Sequence, residues 1–359
     1  MGQFAFIIHP ISVREDMARK YKAARCLPES WVEWLIKFMS AKPISHISGI
    51  RSQTGAEAEG WFVGCPLTPR QFLQLNGEFV TNKIIEAGRV AEDLGARVVG
   101  LGAYTSVAGD AGVTVSRNLD IAVTTGNSYT VATAVEGTLQ AAELMDIDPA
   151  QATAAVLGAA GSIGRVCAQM LSRRVARLML VGLHTDPLDE VVEALPGDAQ
   201  VEVSTDSNSA LPRADIVITV TSALDSVIGP EELKPGAVVC DVARPRDVSR
   251  LVAERRPDVL VIEGGVVAVP GEVDFGFDFG FPPGTSYACM AETMILALEE
   301  RYEDFSIGRE LSEERVNEIA ALAQKHGFRL AGFRSFERAV TDEQIAAARE
   351  AARRARVSR

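Results

Sequence analysis

The stretch AAVLGAAGSIGRVCAQML, residues 154–171, decides the fold class. It reads as a buried strand, a glycine turn and a helix, in that order. Gly158, Gly161 and Gly164 give the spacing GxxGxxG, and Ala159-x-Gly161-x-x-Gly164 is a second reading, with alanine at the first position of GxGxxG. In both readings small residues let the backbone turn tightly and approach a pyrophosphate, and the helix opening at Ser162 and Ile163 aims free N–H groups at that anion. Gly158, Ala159, Gly161, Ser162, Ile163 and Gly164 are therefore candidate nucleotide contacts. Such a pattern is weak alone and gains meaning from its setting.

The setting supplies that meaning. From Ala152 onward, short apolar runs (TAAVL, RLMLVGL, VEVS, DIVITV, AVVCDV, VLVIEGG) alternate with helical segments. Their apolar continuity predicts parallel strands covered on both faces. The expected fold class is thus α/β: a Rossmann-type doubly wound parallel sheet, an N-terminal α/β substrate domain and C-terminal helices. The expected boundaries are 1–148, 149–284 and 285–359. After the second run, VGLHTDPLDE (181–190) holds no arginine. An acid at the strand end suits the ribose of NAD, and a cation suits the phosphate of NADP. Asp186 lies slightly beyond the strand end, while His184 and Thr185 can donate to a phosphate, so NADP(H) and NAD(H) both stay open.

The chain has 359 residues, 47% hydrophobic and 23% charged, with a net charge of −12. That length suits two domains. The acidic balance argues against a nucleic-acid partner. No run is long enough for a transmembrane helix, and no signal peptide is read at MGQFAFIIHP. The five cysteines (Cys26, Cys65, Cys167, Cys240, Cys289) are scattered, which predicts neither a disulfide framework nor a metal site and suits the cytoplasm. N-terminally, a strand at FAFIIHPI leads to a basic helix from about Ser12 to Arg25, where Arg14, Arg19, Lys20, Lys22 and Arg25 outnumber Glu15 and Asp16. Next come a helix with Trp31, Trp34, Leu35 and Phe38 on one face, two strands joined by a turn, and one long helix from about Thr68 to Gly95. A helix from about Asn127 ends before Pro149.

FPPGTSYACMAE (281–292) places Cys289 in the first turn of a helix, with Thr285 or Ser286 as the expected cap. A helix N-terminus favours the thiolate, the nucleophilic form. Just before it, DFGFDFGF (274–281) alternates Phe275, Phe277, Phe279 and Phe281, which as an extended strand would form one aromatic wall.

The chain resembles the long-chain acyl-[acyl-carrier-protein] reductases over nearly its whole length. GWFVGCPLTPRQFL, ARVVGLGAYTSVAGDAG, TTGNSYT, VLGAAGSIG, VIEGGVV, ACMAE and QKHGF carry the resemblance, in order. It implies that Cys289 accepts the acyl group as a thioester and that hydride from NADPH releases a fatty aldehyde. Acyl carrier protein or acyl-CoA is the implied donor, with Thr105, Ser106, Asn127, Tyr129, Phe277 and Phe279 at the substrate. The family's His in TTGN-x-H is Tyr129 here, and its arginines after the second strand are missing. NADPH is therefore expected with weak discrimination over NADH, unless Arg173, Arg174 or Asp186 intervenes. His9 and His326 are candidate proton donors.

TVTSALDSVIGPEELKPGAVVCDVARPRDV also resembles the nucleotide domain of glutamyl-tRNA reductase and adds Thr221, Ser222 and Ala243 as cofactor candidates. That family's cysteine lies near the N-terminus, in a TCNR-type motif absent here. A non-catalytic nucleotide-binding sensor is the remaining alternative. For an acidic carrier protein, the first helix is the expected basic surface, ahead of the tail (Arg349, Arg353, Arg354, Arg356, Arg359).

Overall fold

The computed structural model of the protein describes residues 1–10, 28–223 and 225–357. The basic helix expected at 12–25, and Cys26, lie outside the described residues. The chain divides into two compact units: 1–127 with 268–310 and 321–329, and 128–267 with 311–320 and 330–359. The break thus falls at the start of the helix Asn127–Leu144, within the segment expected as a single first domain. Residues 285–359 are shared between the two units, and the phenylalanine segment goes with the first.

All six apolar runs form strands of the second unit: Thr153–Leu157, Arg177–Val181, Gln200–Ser204, Ile216–Thr219, Val238–Asp241 and Leu260–Glu263. They make one parallel sheet whose spatial order runs from the sixth, fifth and fourth of these strands to the first, second and third. This is the doubly wound order, with its switch point between the first and fourth strands. The fourth, fifth and sixth strands are buried throughout, as their apolar continuity predicts. Gln200–Ser204 differs. It closes one edge of the sheet, and Gln200, Val201 and Glu202 are exposed, so two-sided cover does not reach it.

The first unit carries a mixed six-stranded sheet. Gly2–Ile8 pairs in parallel with Glu57–Gly64 and with Val98–Leu101, which pairs in parallel with Ala122–Thr124. Lys42–Arg51 and Gly271–Asp274 extend the sheet antiparallel beyond Glu57–Gly64. One face, with Ala5, Ile7, Val63, Val99 and Leu101, packs with Val80, Ile84 and Ala87 of the helix Gly77–Asp93. The helix Ala288–Leu298 packs on the sheet as well, with Ala297 against Gly2 and Thr293 against Gly100.

Three local expectations change. The long helix from Thr68 breaks into Pro69–Gln74 and Gly77–Asp93, because the Asn76 side chain accepts the N–H groups of Glu78 and Phe79 and starts a new helix. On the helix Glu29–Ile36, Trp31, Trp34 and Leu35 are exposed, as is Phe38 beyond it, and the packed residues are Val32 and Ile36. DFGFDFGF is not one strand past Asp274. Asp274 and Asp278 each accept the N–H two residues on, from Gly276 and Gly280, and both glycines are left-handed (φ 72° and 91°). The repeated Asp-Phe-Gly is a pair of side-chain-stabilised turns.

Candidate functional site

In the second unit the glycine loop follows the first strand at the switch point. Gly158 takes φ 86°, and a Cβ there would lie 2.8 Å from the Val220 carbonyl oxygen, so the turn requires glycine at this position. Ala159 is buried and not left-handed, so the turn follows the GxxGxxG reading. Gly164 is required for a different reason, because its Cβ would stand 2.2 Å from the Gly158 oxygen. Gly161 is unlike both. Its Cβ would meet only that oxygen, at 3.3 Å, and the residue is exposed. The protein's own packing does not demand a bare backbone at Gly161, whereas an approaching pyrophosphate would.

Gly161 is the N-cap of the helix Ser162–Ser172 and brings no side-chain cap. The first-turn N–H groups of Ser162, Ile163 and Gly164 thus face the loop as a ready anion cradle. The loop after the fourth strand closes against it: Gly158 is adjacent to Val220 and Thr221, and Ser222 is exposed beyond them. Two buried carboxylates that the sequence did not advertise hold these loops. Asp247 accepts from the hydroxyls of Thr219 and Thr221, both at 2.5 Å, and from the Thr221 N–H. Asp241 accepts the N–H groups of Ala243 and Val248, and burial, only partly opposed by Arg244, pushes its carboxyl up to about 6. The only sequence signal was the pair of aspartates in DVARPRDV. His184 and Thr185 are exposed where the second strand turns into the helix Thr185–Glu193. Arg173 is the C-cap of the helix Ser162–Ser172 and pairs with Glu313. That puts Arg173 and its neighbour Arg174 roughly 16 Å along the axis from the glycine loop, which removes both as phosphate ligands.

In the first unit, Cys289 is the second residue of the helix Ala288–Leu298. Thr285 and Ser286 do not cap it. They form a short strand with Tyr287, which is the N-cap and brings no side-chain cap. Because Ala297 packs on Gly2 and Thr293 on Gly100, the helix runs opposite to the parallel strands. Its start therefore lies at their C-terminal edge, where α/β sheets place ligands.

TTGNSYT meets ACMAE at that edge. A Cβ on Gly126 would lie 2.3 Å from the Cys289 Cα, and Gly126 is left-handed at φ 74°. The Thr124 hydroxyl donates to the fully buried Glu292, at 2.5 Å. Asn127 is buried beside Gly126, while Tyr129 belongs to the second unit, where burial and then Glu136 push its phenol well above its ordinary range. Thr105 and Ser106 are at the same edge, after Val98–Leu101, but their hydroxyls donate back to the carbonyls of Gly102 and Ala103. Gly126→Ala should crowd the Cys289 backbone and force an alanine into left-handed geometry at a cost of about 1–2 kcal/mol. The variant should therefore melt a few degrees lower than the wild type, read by thermal denaturation.

The aromatic wall exists, built differently from the expectation. Phe275, Phe277 and Phe279 all contact the Phe62 ring, at 6.1, 5.4 and 5.5 Å between centroids. Phe281 stacks on Phe279 at 5.2 Å and meets Tyr287 at 4.4 Å, two residues before the thiol. The rings form an apolar cluster that runs from Phe62 to Tyr287.

The two candidate histidines lie in different settings. His326 is buried, with Nδ1 on the Ser52 hydroxyl and Nε2 on Glu299. Glu299 is the C-cap of the 11-residue helix that begins beside Cys289, roughly 15 Å of axis away. At His9 the Tyr104 N–H donates to Nε2 and Nδ1 lies 3.2 Å from the Pro10 oxygen, so backbone groups engage both ring nitrogens. Among the described residues there is no acid, His or Cys cluster able to hold a metal ion, and no helix is long and apolar enough to cross a membrane.

The shikimate/quinate 5-dehydrogenase family model matches residues 140–262, the strands and loops of the nucleotide unit. The aminotransferase PigE of Serratia sp. is 33% identical over 91% of this chain, and the chain spans 39% of PigE's length. The long-chain acyl-[acyl-carrier-protein] reductase of Synechococcus elongatus is 27% identical over 82% of this chain and 89% of its own. Glutamyl-tRNA reductase of Haloarcula marismortui is 32% identical over 31% of this chain and 25% of its own. The solved glutamyl-tRNA reductase of Methanopyrus kandleri superposes at TM-score 0.32, with 17% identity over 79% of this chain and 60% of its own. The chain is thus a distant relative of nicotinamide-dependent oxidoreductases.

Proposed function

We propose that the protein belongs with the long-chain acyl-[acyl-carrier-protein] reductases. In this reading it reduces a fatty acyl thioester, carried by acyl carrier protein or coenzyme A, to the aldehyde. The observation that carries the reading is the setting of Cys289. Among the described cysteines it is the one not buried, and it stands in an uncapped helix start with the Gly126 backbone packed against it.

The Cys289 sulfur attacks the acyl carbonyl carbon. A new C–S bond forms, the bond to the carrier sulfur breaks, and the carrier leaves as a thiol with the proton that Cys289 gave up. The first-turn N–H groups at 289–291 favour both the attacking thiolate and the oxyanion that develops. The Phe279–Phe281–Tyr287 rings shed water when an alkyl chain lies on them, which favours long chains. NAD(P)H, which suits the Gly158–Gly164 cradle, supplies a hydride when bound. With that hydride delivered to the acyl carbon, the C–S bond would break, the aldehyde would depart, and the Cys289 thiolate left behind would take a new proton from solvent.

The test is peptide mass spectrometry after incubation with a long-chain acyl-CoA and no nicotinamide. The acyl group should appear on Cys289. An adduct on another cysteine, or none while turnover proceeds, would overturn the mechanism.

A further inference from the structure

The strand end that should read the adenine ribose has no cation of its own. Leu183, His184, Thr185 and Asp186 are all exposed there, and the segment 182–188 contains neither lysine nor arginine. The neighbouring helix carries a cation that pairs with the helix opening here. Arg165 is the fourth residue of the helix Ser162–Ser172, and its N–H makes the first helical bond, to the Gly161 oxygen. Its guanidinium Nη2 stands 3.5 Å from a carboxylate oxygen of Glu190, on the helix that starts at Thr185.

Arg165 therefore spans the seam between the helix after the first strand and the helix after the second. Its Cα sits about one turn, roughly 6 Å, below the helix start, within the span of an extended arginine side chain. The pair is open to water, with Arg165 37% and Glu190 69% exposed, so it holds the guanidinium only weakly. A phosphate dianion is the stronger and bidentate partner.

Building on the nicotinamide-nucleotide reading of this unit, we propose that Arg165 is the residue that recognises the 2′-phosphate of NADP(H). Its guanidinium exchanges Glu190 for the phosphate, and Glu190 acts as the built-in competitor. When the ribose carries a plain 2′-hydroxyl, Arg165 stays on Glu190 and contributes nothing to binding. The competition would let the chain bind NADPH without the missing arginines, with only a modest preference over NADH.

The experiment is calorimetric titration of the full chain with NADPH and with NADH, for wild type, Arg165→Ala and Glu190→Gln, with thermal melts as the control for folding. Arg165→Ala should raise Kd for NADPH about tenfold and leave Kd for NADH within about twofold. Glu190→Gln should tighten NADPH about two- to fivefold, without changing NADH, by freeing the guanidinium. Equal shifts for both nucleotides, or no shift, would overturn the assignment. Should Arg165→Ala fail to fold, the sign of the Glu190→Gln effect decides alone. If neither nucleotide binds wild type, the underlying nucleotide reading fails, an outcome distinct from a failure of Arg165.

Discussion

Cys289→Ser is expected to lower turnover by at least about a thousandfold, some 4 kcal/mol of barrier, and to abolish the acyl adduct. A serine hydroxyl in the same helix start hardly ionises near neutral pH, whereas a thiol there does so far more readily. The remaining described cysteines cannot stand in for it. Cys65 and Cys240 are fully buried, and desolvation pushes both thiols up to about 12. At pH 8 a thiol with that value is ionised in roughly one molecule in ten thousand. Cys167 is likewise buried and shifted upward. Nucleotide affinity should be unchanged in Cys289→Ser, because the glycine loop belongs to the other unit. Retained turnover in the serine variant would mean that the acyl group passes directly from its carrier to reduction, and Cys289 would then be a structural thiol.

What was legible in the sequence divides along a physical line. Buried parallel strands need apolar residues on both faces, so their runs stand out, and the six strands of the second unit fell where those runs lie. The glycine loop and the helix start at Cys289 are local as well, fixed by small residues and by a chain-breaking PPG. The misreadings share a different cause. Strict alternation of phenylalanine suggests a strand, but each intervening aspartate forms a local bond to a glycine N–H, and this turn chemistry outweighs the pattern. Asn76 likewise divides a helix whose apolar spacing would have continued through it.

Long-range facts had no local signature. That Gly126 must be bare because Cys289 packs on it follows from the register of a sheet and a helix more than 150 residues apart in sequence. The Asp247 anchor on Thr221 and the reach of Arg165 toward Glu190 are of the same kind. Periodicity registers which face is buried, but not which polar group on one element answers another.

The last expectation separates glycines that the fold needs from one that a ligand needs. Gly164→Ala should destabilise the second unit by about 1–3 kcal/mol, since its Cβ would be forced to 2.2 Å from the Gly158 oxygen, a backbone atom that cannot swing away. Gly161→Val should behave otherwise. Gly161 adopts φ −72° and ψ 162°, extended geometry that valine takes readily, and its Cβ finds only the Gly158 oxygen at 3.3 Å. Losing a good helix N-cap costs about 1 kcal/mol or less here. The branched side chain would instead fill the space above the helix N-terminus, so Kd for NADPH and for NADH should both rise at least about tenfold, or 1.4 kcal/mol. Acylation of Cys289 should proceed at its normal rate, because that step precedes any need for the nucleotide. Unchanged nucleotide affinity in a folded Gly161→Val protein would show that the pyrophosphate lies elsewhere. A parallel loss of melting temperature and affinity would instead make Gly161 a third structural glycine and remove the reason for reading its open side as a ligand's place.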